Sequence, residues 1–297
     1  MIKQWILGTA VMLANLIGGH AKAEELTLDV WPAQPPGRIT AQGIEADTSG
    51  PDANQVAGKP VIRLGNVSKP MLTVYPAPNE TSNGQAVVVF PGGGYNILAY
   101  DLEGTEVCQW LNSIGVTAVL LKYRVPRPQG EPRPLEPLQD AQRSVSLVRQ
   151  HAAEWNLDPA KIGVLGFSAG GNLAARLSTN YQQRAYEAID ETDQVSCRPD
   201  FALLIYPAYL FDKGSEELVA SDLPITANTP PMFVTMAFDD PVDSENALRW
   251  SLGLKRGKIP VELHVYPSGG HGYGLRRTQE AATSWPDRAG EWLKRFE

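Results

Sequence analysis

The chain has 297 residues, 43% of them hydrophobic and 20% charged, with a formal net charge of −7. That size and mix fit an ordinary globular protein of one or two domains with a sizeable core. The acidic balance argues against a nucleic-acid surface or an anionic membrane as partner.

Residues 1–23 read as a signal peptide. A basic start at Lys3 is followed by an apolar stretch over residues 5–17 and by Ala21-Lys22-Ala23, a small-residue cleavage pattern. The apolar run is short for a comfortable membrane span. The expectation is cleavage after Ala23 and a secreted or periplasmic protein. Only Cys108 and Cys197 remain in the chain, and the sequence leaves open whether they pair. Residues 24–70 are rich in Pro, Gly, Asp and Ser and read as an extended arm packed on a main domain spanning residues 71–297.

From residue 71 strand and helix signals alternate. "MLTVYPA" is a proline-bounded strand, and "AVVVFP" and "VTAVLLKY" are continuous apolar runs, as expected of strands buried on both faces. Between the last two, helix-like text runs over residues 103–114. A helical period then places Ala141, Val145, Val148, Ala152 and Trp155 on one face. "KIGVLGF", "FALLIYP", "MFVTMAF" and "VELHVYP" are further strands, with helices expected after Ser168, over residues 244–256 and in the tail from residue 278. This alternation implies an α/β fold with a mostly parallel central sheet and helices on both faces. Residues 208–229 are long for a plain connection and form a candidate lid.

Ser168 stands where a strand runs into a helix, in Gly166-Phe167-Ser168-Ala169-Gly170. Such a cramped turn lifts a serine oxygen above the carboxyl end of the sheet and aims a helix N-terminus at it. A serine hydroxyl needs a base to become nucleophilic. Of four histidines, His20 lies in the signal peptide, His151 in a helix and His264 inside a strand. His271, in the glycine-lined "PSGGHGYGL" after the last strand, is the candidate base. The base needs a carboxylate to fix its tautomer, and "MFVTMAF" ends in Asp239-Asp240-Pro241-Val242-Asp243. Asp240 is the choice, Asp239 the second choice, and Asp243 a helix N-terminal residue. For an oxyanion hole, "VVVFPGGGYN" supplies Gly93 and Gly94, acting with the N–H of Ala169. Tyr95, Tyr206 and Tyr273, together with Tyr209, are candidates for the substrate pocket, although each also suits ordinary packing. Trp31 suits sugar stacking or, better, anchoring of the arm. Arg124, beside a buried strand, suits a structural ion pair.

The text "WPAQPPG", "VVVFPGGGYNILAYDLEGTEVCQWLNSIGVTAVLLKYRVPR", "PLQDAQRSVSLVRQ", "GFSAGG", "AFDDPV" and "ELHVYPSGGHGYGLR" resembles the α/β-hydrolase superfamily. The branch it resembles is that of secreted bacterial esterases of the acetyl-xylan and feruloyl-esterase-like kind. The resemblance implies a Ser-His-Asp esterase without metal or cofactor, acting on acetylated plant polysaccharides or their oligomers, with Ser168, His271 and an aspartate of the 239–240 pair at the triad positions. Two departures point away from lipid esters by analogy: the glycine motif begins with Pro91 rather than histidine, and Phe167 rather than aspartate precedes the serine. The alternatives are a feruloyl esterase and an oligopeptidase-type peptidase, for whose usual extra domain this chain has no room. A carbohydrate-binding protein on a dead hydrolase scaffold is a further alternative, opposed by the intact set of residues.

Overall fold

The computed structural model describes residues 26–297; the expected signal peptide lies outside the described residues. Among the described residues eleven strands occur, in chain order β1 (Leu26–Asp29), β2 (Ala46–Asp47), β3 (Arg63–Gly65), β4 (Met71–Tyr75), β5 (Ala86–Phe90), β6 (Leu98–Ala99), β7 (Thr117–Lys122), β8 (Ile162–Phe167), β9 (Ala202–Ile205), β10 (Met232–Ala237) and β11 (Val261–Tyr266). The α-helices are α1 (Glu106–Ser113), α2 (Leu135–Gln150), α3 (Ala169–Asn180), α4 (Glu245–Arg256) and α5 (Trp285–Leu293).

Eight strands form one sheet in the order β1-β4-β7-β5-β8-β9-β10-β11. From β7 to β11 all neighbours are parallel, and β1 and β4 run antiparallel at the near edge. Every residue of β5, β8 and β10 is buried, which is why these strands read as unbroken apolar runs. The connection β5-α1-β7 steps one way along the sheet, whereas β7-α2-β8, β8-α3-β9 and β10-α4-β11 step the other way. Right-handed crossovers therefore put α1 on the opposite face from α2, α3 and α4. Helix α5 joins α1, with Trp285 edge-on to Trp110 at 5.4 Å between ring centroids. The result is three layers with a reversal of strand order at β5.

Some elements differ from the sequence reading. Residues read as an irregular arm supply the edge strand β1 and, with β6, a small three-stranded sheet. Their apolar content was too short for a strand signal. Helix α2 stops at Gln150, although the apolar period continues to Trp155. The extra residues fold into turns in which His151 stacks on Trp155 at 4.9 Å, so the pattern reports burial rather than helix. The stretch read as a helix from 103 begins as a π-helical turn, Asp101–Thr105, before α1. Residues 208–229 form neither helix nor strand, with Leu210, Ala220 and Leu223 tucked into the core. Cys108 and Cys197 are both buried and are not joined to each other.

The arm is held by a buried polar node. Trp31 Nε1 donates to Asp140 Oδ1 at 2.8 Å, and the Arg124 guanidinium meets the same carboxylate at 2.8 Å with both side chains almost fully buried. Arg124 also donates to the carbonyl of Pro36 and to Gln139. Trp31 therefore anchors the arm, and Arg124 is the structural ion pair. A buried pair of this kind holds geometry, and losing one partner strands the other charge without water. Asp140→Ala should lower stability by about 3–5 kcal/mol, measured by urea denaturation with helical signal as the readout.

Candidate active site

The register of the sheet brings the loops together. Phe90 pairs with Gly166 and Phe167 with Ile205, so the chain after β5, Ser168 after β8 and Tyr206 after β9 leave the sheet side by side. Ala237 pairs with Tyr266, which sets the loop after β10 beside that after β11. All five loops lie at the carboxyl edge of the sheet, where open α/β sheets hold their ligands.

Ser168 takes φ 50° and ψ −116°, a strained conformation for a residue with a side chain, costing about 1–3 kcal/mol. Its N–H donates to the Ile205 carbonyl at 3.0 Å. The turn closes so tightly that a Cβ on Gly166 would stand 2.0 Å from the Gly170 carbonyl oxygen, and one on Gly170 would stand 2.1 Å from that of Phe90. Glycine at both places is a steric requirement of the elbow. Ser168 stays half-buried and reachable.

His271 Nε2 lies 2.9 Å from Ser168 Oγ, and His271 Nδ1 lies 2.7 Å from Asp240 Oδ2. The Asp240 side chain is fully buried, and its other oxygen accepts the Val242 N–H at 2.8 Å. Asp239 is exposed and accepts the Gly270 N–H at 2.9 Å, steadying the histidine loop rather than the imidazole. Asp243 accepts the Glu245 N–H at the start of α4. His151 and His264 pair with Glu154 and Glu262, away from this cluster.

Gly93 and Gly94 are partly exposed, and their N–H groups make no hydrogen bond among the described residues. Ala169 is the first residue of α3, where an N–H has no intrahelical acceptor. Gly92, by contrast, donates to Glu103 Oε2 at 2.7 Å and is occupied. The arrangement can take a proton from a hydroxyl, hold the resulting imidazolium against a carboxylate and offer N–H groups to a developing oxyanion.

The three tyrosines read as pocket residues are corrected. Tyr95 and Tyr206 expose none of their surface and Tyr273 exposes 4%. Each is an interior residue because its ring fills space under a loop. Tyr95 donates its hydroxyl to Asn172 Oδ1 at 2.8 Å. Tyr206 packs edge-on against His271 at 4.8 Å and donates to Glu103 Oε1 at 2.7 Å. Tyr273 packs edge-on against Tyr206 at 4.6 Å. Burial pushes all three hydroxyls above the usual phenol range. Tyr209 alone of the four is partly exposed, with the Arg127 guanidinium over its ring at 5.7 Å. Glu103 escaped the sequence reading. It looked like one more acid at the start of a helix, and only its burial distinguishes it.

The crystal structure of an acetyl ester-xyloside bifunctional hydrolase from Caldicellulosiruptor lactoaceticus superposes with a TM-score of 0.69 and 30% identity, over 95% of this chain and 98% of that one. The chain belongs to the α/β-hydrolase superfamily. This α/β-hydrolase matches the BD-FAE family over residues 72–203. It is 29% identical over 269 residues to an acetylxylan esterase of Xylanibacter ruminicola, covering 81% of this chain but only 51% of that protein, so it spans about half the length of that curated relative. The esterase 2 of Thermogutta terrifontis, phosphorylated by paraoxon, superposes with a TM-score of 0.65 and 26% identity, over 81% of this chain and 92% of that one. These similarities are to esterases, among them acetylxylan-type enzymes.

Tyr95→Phe tests the tyrosine correction. It should leave KM for a small ester unchanged and cost about 1–2 kcal/mol of stability, because Asn172 loses its donor. Steady-state kinetics paired with thermal unfolding reads both.

Proposed function

We propose that this protein is an exported serine esterase that removes acetyl groups from plant polysaccharides such as xylan, or from their oligosaccharides. The observation that carries the mechanism is the continuous line from Asp240 through His271 to Ser168, at 2.7 and 2.9 Å. Ser168 Oγ attacks the ester carbonyl while His271 Nε2 takes its proton. Asp240 stabilises the imidazolium. The N–H groups of Gly93, Gly94 and Ala169 receive the oxyanion, each donor contributing about 3–4 kcal/mol to catalysis. The imidazolium then protonates the departing sugar oxygen. Water, deprotonated by the same histidine, releases acetate from the serine.

The similarity to the Xylanibacter acetylxylan esterase and the Caldicellulosiruptor acetyl ester-xyloside hydrolase supports acetylated xylose-based carbohydrate as substrate. The basic, then apolar, then small-residue sequence of residues 1–23 supports export. Among the described residues no helix is long and apolar enough to cross a membrane. The partner of this proposal is an acetylated carbohydrate or small ester, and the net charge of −7 argues against a nucleic acid or an anionic membrane.

Ser168→Ala should abolish hydrolysis of p-nitrophenyl acetate and labelling by paraoxon while the fold persists. Asp240→Asn should lower kcat on the order of 10⁴-fold, whereas Asp239→Asn stays close to wild type. Equal losses at the two aspartates would remove Asp240 from the triad. Release of acetate, and not of ferulate, from acetylated and feruloylated xylans fixes the acyl group; ferulate release would transfer the protein to the feruloyl-esterase reading.

A further inference from the structure

We infer that Glu103 is a positioning residue that ties the glycine loop to the histidine loop through one buried carboxylate, and that its negative charge supports the imidazolium formed on His271. The inference rests on the triad reading above.

Glu103 sits in the middle of the π-helical turn Asp101–Thr105 and exposes only 3% of its surface. Such turns are frequent at functional sites because they re-aim side chains that a regular helix would send elsewhere. Oε2 accepts the Gly92 N–H at 2.7 Å, and Oε1 accepts the Tyr206 hydroxyl at 2.7 Å. Tyr206 Oη in turn accepts the Gly274 N–H at 3.0 Å, three residues beyond His271, and the Tyr206 ring packs edge-on against the imidazole. One carboxylate therefore spans from the root of the candidate oxyanion loop to Tyr206, which packs against His271 and bonds the peptide of its loop. The contact is close: a Cβ on Gly92 would stand 2.6 Å from Glu103 Oε2 and 2.9 Å from the Ser168 Cβ. Gly92 is thus wedged between Glu103 and the nucleophile, and the direction of its peptide sets where Gly93 and Gly94 present their N–H groups.

The hydrogen-bond count favours the ionised form. The Tyr206 hydroxyl proton needs an acceptor, and Glu103 is the one it has among the described residues. A neutral acid would add a second proton to the same pair of oxygens and leave one without a partner, which is costly in a dry interior. Burial pushes the Glu103 carboxyl above its usual range, while the Tyr206 hydroxyl, the charge on His271 and the Gly92 N–H pull it back. A carboxylate held in that balance interacts strongly with a cation formed nearby.

Asp240 holds Nδ1, Asp239 holds the Gly270 peptide, the Tyr206 ring packs edge-on against the imidazole, and Tyr273 packs against Tyr206 behind it. Arg276, farther along the loop, is committed to Asp101 and Glu106. Facing Glu103 from the end of β7 is Tyr123, which donates to the Pro91 carbonyl. Glu103 is therefore the second buried carboxylate, after Asp240, that can stabilise the imidazolium.

The test is the pH profile of kcat/KM for p-nitrophenyl acetate, over about pH 5 to 9, for wild type, Glu103→Gln and Glu103→Asp. With the charge gone, the imidazolium is less favoured, so the acid limb of Glu103→Gln should move to lower pH by at least about half a unit. Its kcat should fall roughly tenfold or more with KM nearly unchanged, because the oxyanion donors act in the transition state. Glu103→Asp keeps the charge on a shorter arm, so its kcat should fall while the acid limb stays in place. A folded Glu103→Gln with wild-type kcat and an unmoved acid limb would overturn the inference. If that variant does not fold, Tyr206→Phe reads the same bridge: kcat should fall at least about fivefold with KM held, and a wild-type kcat would overturn it. A wild-type protein that hydrolyses no ester would instead refute the triad reading, so the two failures are distinguishable.

Discussion

The whole site depends on one tight turn. At Ser168 the chain leaves a fully buried strand and enters a helix within a single residue, and the backbone on either side passes so closely that no side chain fits at Gly166 or Gly170. The strained φ of Ser168 is sustained because the neighbouring strand β9 and the helix α3 both grip the turn: the Ser168 N–H bonds Ile205, and its carbonyl accepts the N–H groups of Asn172 and Ala208. Strain of this kind persists only where surroundings over-determine the conformation. The buried sheet supplies that over-determination, and it is why Ser168 stands at the centre of the fold rather than on a peripheral loop.

The sheet also explains why residues far apart in sequence meet. Adjacent parallel strands in register end at the same level, so the loops after β5, β8, β9, β10 and β11 share one edge. The reversal of direction at β5 opens a crevice between the loops on its two sides. The main-chain pairing of the sheet thus sets where each loop of the site leaves it. The hydrogen bonds from Asp240 to His271 to Ser168 then select rotamers within a space the backbone has already defined.

Legibility in the sequence followed the same division. Continuous apolar runs identified the buried strands, and Gly-Phe-Ser-Ala-Gly, the aspartate pair and the glycine-flanked histidine stood out because rare residue types occurred at strand ends. Asp240 and Asp239 could not be separated firmly, since adjacent acids differ only in which way the turn after β10 points them; in the fold one is buried against the imidazole and the other bonds the Gly270 peptide. The tyrosines misled because a strand-end aromatic can face the cleft or the core, and nothing in the local pattern fixes the choice. Glu103 was invisible for a related reason. An acid near a helix start is commonplace, and its burial arises from Gly92 and Tyr206, one of them 103 residues away in sequence. The short strands of the arm lacked the length for a periodic signal and depend on pairing with β4 and β6.

The histidine loop shows how a flexible sequence is made rigid. Glycines at 269, 270, 272 and 274 all take positive φ, a composition that in isolation would leave His271 mobile. Around it the peptide is pinned at intervals: Gly270 N–H to Asp239, Gly274 N–H to Tyr206, and the Gly274 carbonyl to Trp285 Nε1 at 2.8 Å. The Tyr206 ring closes one side of the imidazole. The glycines are needed to thread the backbone through this narrow space, and the anchors remove the freedom that glycine would otherwise bring. In the proposed mechanism, holding His271 within hydrogen-bond reach of Ser168 before substrate arrives avoids reorganisation during the reaction, which is where preorganised polar sites gain most of their rate. Because every anchor comes from a different element, β9, β10 or α5, the position of His271 reports on the integrity of the entire carboxyl edge of the sheet.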